Sequence, residues 1–278
     1  MTEIKHADQL TRVEFKKLMK DPKTWYWLIG AAIVIGVVVS FWAYPGAGVL
    51  AGIGTVLAGI FFVYTTAGEK AEDAFYDHYA KSRGLQRSPK QMGPATPLLR
   101  KGDKRRTDEM FSGKLNDEFQ GSLVLYTYIE ITRDNKGNKQ EHPHPFTLVT
   151  IKLPKFAEHM PELVVEEQGF KIFDKLEDAF KGNLERIRLE SEALDERFQI
   201  FVRKDQDPVW IRRLFSPSFM VYLTDHPMRD FAFEFGSGRL VAYLPKHKES
   251  DAEFDGLIAA TCELAAKLNA EALQTQTG

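Results

Sequence analysis

The sequence predicts an α+β protein: a two-helix transmembrane hairpin, then a soluble domain with an antiparallel sheet and a C-terminal amphipathic helix. Three observations carry this reading. Two charge-free apolar stretches lie between Trp25 and Ala67, each of about twenty residues. From about Met110 onward, runs rich in β-branched and aromatic residues recur, with turn-forming Asn, Gly and Ser between them. Asp251–Leu273 then repeats apolar residues at helical spacing.

The hairpin comes first. At a rise of ~1.5 Å per residue, about twenty residues cover the roughly 30 Å hydrocarbon core of a bilayer. The predicted spans are 25–44 and 47–67, with Tyr44-Pro45-Gly46-Ala47-Gly48 at the connection. Trp25-Tyr26-Trp27, Phe41-Trp42 with Tyr44, and Tyr64 fall where interfacial aromatic belts belong. No polar face marks either span as the core of a soluble protein. The first span starts too late, and is followed too closely by another, to be a cleaved signal peptide. Lysines and arginines flank the pair on both outer sides (Arg12, Lys16, Lys17, Lys20 and Lys23 before it, Lys70, Lys81, Arg83 and Arg87 after it), and the connection has none. The positive-inside rule then puts both termini in the cytoplasm of a multi-pass cell-membrane protein. Small residues recur along the spans: Ala32, Gly36 and Ser40 in the first, Gly48, Gly52, Thr55 and Gly59 in the second. Such stripes let helices approach closely, either within the pair or against another membrane protein. No ionisable residue lies in either span, so the hairpin reads as an anchor and not a conduit.

Four segments follow from this reading: 1–24, a cytoplasmic N-terminal segment; 25–67, the hairpin; 68–106, a juxtamembrane helix and basic linker; 107–278, the soluble domain. Leu10–Met19 reads as a short interfacial helix, and Glu69–Arg83 as a helix leaving the membrane and stopping at Gly84. Ser88–Thr107, with its prolines, glycines and the run Arg100–Arg106, reads as the linker. Strands are expected at Gly121–Thr132 and Phe146–Leu153, joined by a long loop, and at Leu163–Glu167, Arg197–Arg203, Phe231–Phe235 and Arg239–Leu244. The last two are joined tightly by Gly236-Ser-Gly238. Phe170–Phe180 and Pro208–Thr224 read as helical. The final helix presents Phe254, Leu257, Ile258, Leu264, Ala265 and Leu268 on one face, interrupted by Thr261.

Composition excludes several classes. A net charge of −2 gives no global case for nucleic-acid binding, and a single cysteine, Cys262, allows neither an internal disulfide nor a multi-cysteine metal site. No cofactor is expected. Five cations in the basic run, Arg100, Lys101, Lys104, Arg105 and Arg106, are placed to meet an anionic membrane surface. Glu141-His-Pro-His-Pro145 offers two imidazoles, too few to close a metal site, in what reads as a solvated loop. Glu190–Glu196 crowds four carboxylates, which reads as a solvated helix face. Trp210, Phe219 and Leu223 form either core or a partner surface.

A resemblance at the level of pattern covers most of the chain after Ala67. Leu189-Glu-Ser-Glu-Ala-Leu-Asp-Glu-Arg-Phe-Gln-Ile-Phe-Val202, Asp205-Gln-Asp-Pro-Val-Trp210, Leu214-Phe-Ser-Pro-Ser-Phe-Met220 and Phe231-Ala-Phe-Glu-Phe-Gly-Ser-Gly-Arg-Leu240 together resemble a bacterial membrane-protein family. Pro97–Asp103 fits the same pattern. The resemblance implies a transmembrane hairpin before a domain of unassigned function, with no established catalytic residues.

The expected function is a membrane-anchored, non-enzymatic interaction or scaffold protein, held by the lipid bilayer and binding a protein partner or itself. The alternative is an enzyme at the membrane face that uses the carboxylates of 190–196 or the His142/His144 pair.

Overall fold

The computed structural model describes residues 7–88, 91–153, 162–169, 183–226 and 228–276. The helix expected at Phe170–Phe180 lies outside the described residues. The chain divides into two units: one runs to Arg83 and includes 249–251, and the other runs from Gly84 to Lys248 and resumes at Ala252.

Three helices make the first unit: α1 (Ala7–Lys20), α2 (Pro22–Trp42) and α3 (Pro45–Ser82). Asp21 caps α2, its side chain accepting from the Lys23 amide at 3.0 Å, and Pro22 fills the first helical position where no N–H is missed. Both helices begin slightly earlier than the expected spans, and the first also ends earlier. Only Ala43 and Tyr44 separate the helices, because Pro45 also opens a helix and holds Tyr44 extended before it. The second span and the juxtamembrane helix are one continuous helix, α3. It ends at Arg83, before Gly84 in the left-handed region at φ +65°. The Phe15 ring meets Tyr64 edge-on at 5.4 Å, and the Trp25 indole donates to the Met19 carbonyl at 2.9 Å, so α1 packs within this unit.

The second unit is built on a nine-stranded antiparallel sheet among the described residues. Its strands are β1 (Gln86–Arg87), β2 (Lys104–Lys114), β3 (Gln120–Arg133), β4 (Lys139–Lys152), β5 (Leu163–Glu167), β6 (Leu184–Ile187), β7 (Phe198–Arg203), β8 (Ala232–Gly236) and β9 (Arg239–Pro245). Their spatial order is β1-β2-β3-β4-β9-β8-β5-β7-β6. The first four strands form a meander, β5 is laid down some distance away, and the β8–β9 hairpin later fills the gap. Ser237 and Gly238 both have positive φ, +51° and +69°, which gives this hairpin the turn whose twist matches its strands. The helices are α4 (Pro97–Arg100), α5 (Glu192–Arg197), α6 (Pro208–Leu214), α7 (Pro217–Asp225) and α8 (Asp251–Gln276). Pro208–Thr224 is two helices because Ser216 caps a new one, its Oγ accepting from the Phe219 amide at 3.2 Å.

Alternation along the strands divides the core between the two faces of the sheet. One face carries Phe111, Leu123, Val149 and Leu240, and Phe111 lies 6.4 Å from Phe254 of α8. All six residues of the expected apolar face of α8 are buried, and Thr261 is satisfied there by donating to the Leu257 carbonyl at 2.6 Å. The opposite face, with Val124, Tyr126, Leu148, Val241 and Tyr243, is closed by Leu98 and Leu99 of α4.

The expected long loop between β3 and β4 is instead a short turn. The Asp134 carboxylate accepts from the amides of Lys136 (2.8 Å) and Asn138 (2.9 Å), and Gly137 supplies φ +83°. The ladder then runs unbroken from Arg133↔Lys139 to Gly121↔Ile151. Pro143 and Pro145 fit this strand because both amide positions face away from β3, where β9 makes no ladder. The Pro145 carbonyl points the same way and accepts from the Lys246 amide at 2.8 Å. Nor is the expected linker a free tether over residues 91–106. It holds α4 and the start of β2, and Thr96, Leu98 and Leu99 are buried.

Candidate functional site

The hairpin residues singled out by spacing lie where α2 meets α3. A Cβ on Gly36 would stand 3.0 Å from the Gly48 carbonyl oxygen, one on Gly48 would run into Ser40 and Gly36, and one on Gly59 into Leu28. A Cβ on Gly52 would stand 3.4 Å from the Ala32 carbonyl oxygen. Thr55 turns its hydroxyl back to the Ala51 carbonyl at 2.8 Å. The stripe thus packs the two helices on each other. Beside it, Ile29, Ile33, Val37, Val49 and Ile53 line an open apolar groove of about 770 Å³.

The basic run is dispersed by the fold. Arg100 pairs with Glu162, Lys104 with Glu141 at 2.5 Å, and Arg106 with Asp108 at 2.6 Å. Arg105 donates to the Arg100 carbonyl at 2.6 Å. Lys101 is buried, its ammonium 4.9 Å above the Tyr128 ring and 3.7 Å from Glu130. Carboxylates within the same unit thus answer most of the charge read as facing a membrane.

The other sequence candidates also separate. His142 lies 2.8 Å from the Thr132 hydroxyl, whereas His144 stacks on Tyr128 at 4.7 Å and approaches Glu130 at 3.4 Å. They belong to a strand, not to a solvated loop. Among the described residues no group of three or more His, Cys, Asp or Glu could hold a metal. His159 lies outside those residues. Glu190, Glu192 and Glu196 are exposed, and Ser191 between them is the cap of α5. Phe219 and Leu223 are fully buried and Trp210 is half-buried. Only the tryptophan remains available to a partner, because α7 turns its apolar face inward.

Two arrangements escape a linear reading. Glu234 is wholly buried on β8, and both of its carboxylate oxygens accept from the Leu98 amide at 3.0 Å. The Tyr243 hydroxyl donates to it at 3.3 Å. Burial raises its pKa to about 7, against the opposing pull of the Leu98 amide, the Thr96 and Tyr243 hydroxyls and Arg100. This group pins α4 to the sheet. At the Thr107/Glu109 bulge, Asp108 accepts from Thr127 Oγ1 at 2.6 Å, and His247 Nε2 lies 3.4 Å from Asp108 and 3.3 Å from Thr127. The residue types are those of a catalytic triad, but the carboxylate and the hydroxyl address the same ring nitrogen. A relay needs them on opposite nitrogens.

The sheet unit also carries a polar groove of about 570 Å³. Its floor is a row of register partners across four strands: Gln86, Ser112, Ser122 and Thr150. The two serine hydroxyls lie 2.8 Å apart. Lys152 and Arg239, paired across β4 and β9, stand at one end, and Gln91, Met92 and Gly93 form a wall. Gly121 also lines the groove, where a Cβ would strike the Thr150 carbonyl. These residues come from five strands and a loop, so only the register unites them. The sequence hint is a pair of hydroxyl residues, Ser122 and Thr150, each next to apolar residues of its strand.

Comparison with family models, with curated proteins and with solved structures finds no match to this chain. Nothing in these comparisons supports the bacterial membrane family that the pattern resembles.

Proposed function

We propose that this chain is a membrane-anchored interaction protein. The α2–α3 hairpin crosses the bilayer with both ends on the cytoplasmic side and presents the sheet unit there to a protein partner or a second copy. One observation carries the reading: the outer faces of the apolar helices are left exposed by the described residues. Both are long and apolar enough to span a membrane, and Ala32 is the single buried residue of α2. Trp27, Phe41, Trp42, Phe61 and Phe62 are each at least 69% exposed. So much contiguous apolar surface is unfavourable in water and favourable in lipid. The core helices of a soluble protein would be covered. The cations flanking the hairpin and absent from its connection support the orientation.

Binding is favoured over catalysis by the same geometry. The glutamates of 190–196 are exposed, the two histidines are engaged within a β-ladder, and the Asp108–Thr127–His247 group lacks a relay. Membrane attachment falls to the hairpin rather than to Arg100–Arg106, most of whose charges are matched within the unit. Carbonate extraction of membranes carrying the full chain tests the anchor: the chain should stay with the pellet and leave it only with detergent. Release by carbonate alone would overturn the reading. Cross-linking in intact membranes tests the module, and adducts should form with the full chain and not with residues 1–83 alone.

A further inference from the structure

We propose that the groove across β1 to β4 and β9 binds the phosphate monoester of a small polyol, with Lys152 and Arg239 on the phosphate and the hydroxyl row on the polyol. This goes beyond the anchoring reading and does not rest on it.

Charge is the first argument. Lys152 and Arg239 are direct register partners, so two cations stand opposite each other in the sheet. Like charges so placed are destabilising unless something neutralises them. Neither makes an ion pair among the described residues, and no acidic residue lines the groove. A phosphate monoester carries about two negative charges near neutral pH, matching the two cations, where a carboxylate brings one. The forked guanidinium and the compact ammonium supply complementary donors for its oxygens.

The floor is the second argument. One row along this face, Met110, Val124, Leu148 and Tyr243 are register partners and belong to the apolar core. The next row changes to Ser112, Ser122 and Thr150, with Gln86 at the edge, although core packing calls for no hydroxyl there. Ser122 and Thr150 are buried at 8% and 6% exposure. One proton serves the Ser112–Ser122 hydrogen bond, which leaves the other hydroxyl proton free to donate. Hydroxyls and glutamine amides both donate and accept, as the hydroxyls of a polyol do.

Size and lining complete the case. A volume of about 570 Å³ falls within the range of small-molecule sites. No aromatic side chain among the described residues lines the groove, and none of them offers a stacking platform for a nucleobase.

The test is calorimetric titration of the full chain in phosphatidylcholine nanodiscs with glucose phosphate, inorganic phosphate and glucose. Glucose phosphate should bind saturably, inorganic phosphate more weakly, and glucose not at all. Lys152→Gln and Arg239→Gln should each weaken glucose phosphate about tenfold. Ser122→Ala should weaken it several-fold while leaving inorganic phosphate unchanged. Lys104→Gln, which removes a cation paired elsewhere, should change nothing. Added salt should weaken binding to the unaltered chain, a readout that needs no variant. Absence of saturable binding by either phosphate probe, or equal binding by the Lys152→Gln/Arg239→Gln double variant, would overturn the proposal. Nanodiscs doped with a phosphatidylinositol phosphate distinguish the source: competition with free glucose phosphate assigns the groove to a lipid headgroup, and unchanged binding assigns it to a soluble ligand.

Discussion

Glu234 holds a carboxylate where water cannot reach it, bonded to the Leu98 amide and the Tyr243 phenol. Its folded pKa of about 7 lies above the ordinary value of 4.5, so the sign follows directly. Below pH 4.5 both folded and unfolded chains keep the proton. Between 4.5 and about 7 only the folded chain keeps it, and stability falls as pH rises; above about 7 the penalty stays constant. The difference amounts to ~3 kcal/mol. Glu234→Gln keeps an acceptor for the Leu98 amide and cannot ionise. The melting temperature of the variant relative to the unaltered protein should therefore rise across that window and level off beyond it. A difference independent of pH would show that Glu234 is not the titrating group. None of this was legible from Phe231-Ala-Phe-Glu-Phe235, where alternation placed the strand but could not tell which face another segment would cover.

Arg197 shows how one side chain orders an element. It pairs with Glu167 at 3.1 Å and donates to the carbonyls of Leu223, Thr224 and Met228, closing the C-terminal end of α7. A lysine cannot span these acceptors with its single ammonium. Arg197→Lys should cost about 2 kcal/mol, read as a lower midpoint in chemical denaturation with an unchanged slope. Periodicity found α8, the β8–β9 hairpin, β5 and β7, because each has a clear face or a diagnostic turn. It misjudged β4 and 88–106, where prolines and charges carry the local signal. Pro143 and Pro145 sit on the unladdered edge of their strand, and the cations of 100–106 are answered by Asp108, Glu130, Glu141 and Glu162. Both facts depend on partners distant in sequence. The groove was hidden for the same reason: Ser112, Ser122, Thr150, Lys152 and Arg239 form a group only once the register is known.

At the scale of the whole molecule, the boundary falls at Gly84. A fragment of residues 84–278 should unfold cooperatively. One starting at Thr107, the boundary the sequence suggests, lacks β1, Leu98, Leu99 and the amide that Glu234 binds. It should melt markedly lower or aggregate, and equal cooperativity in the two fragments would show that α4 is dispensable to the core.

The central claim is that the hairpin anchors the chain with its sheet unit in the cytoplasm. It is tested most directly by protease treatment of cells expressing the full chain with a C-terminal tag. The tag should survive on intact cells and disappear once the membrane is permeabilised. Digestion of the tag on intact cells would contradict the account.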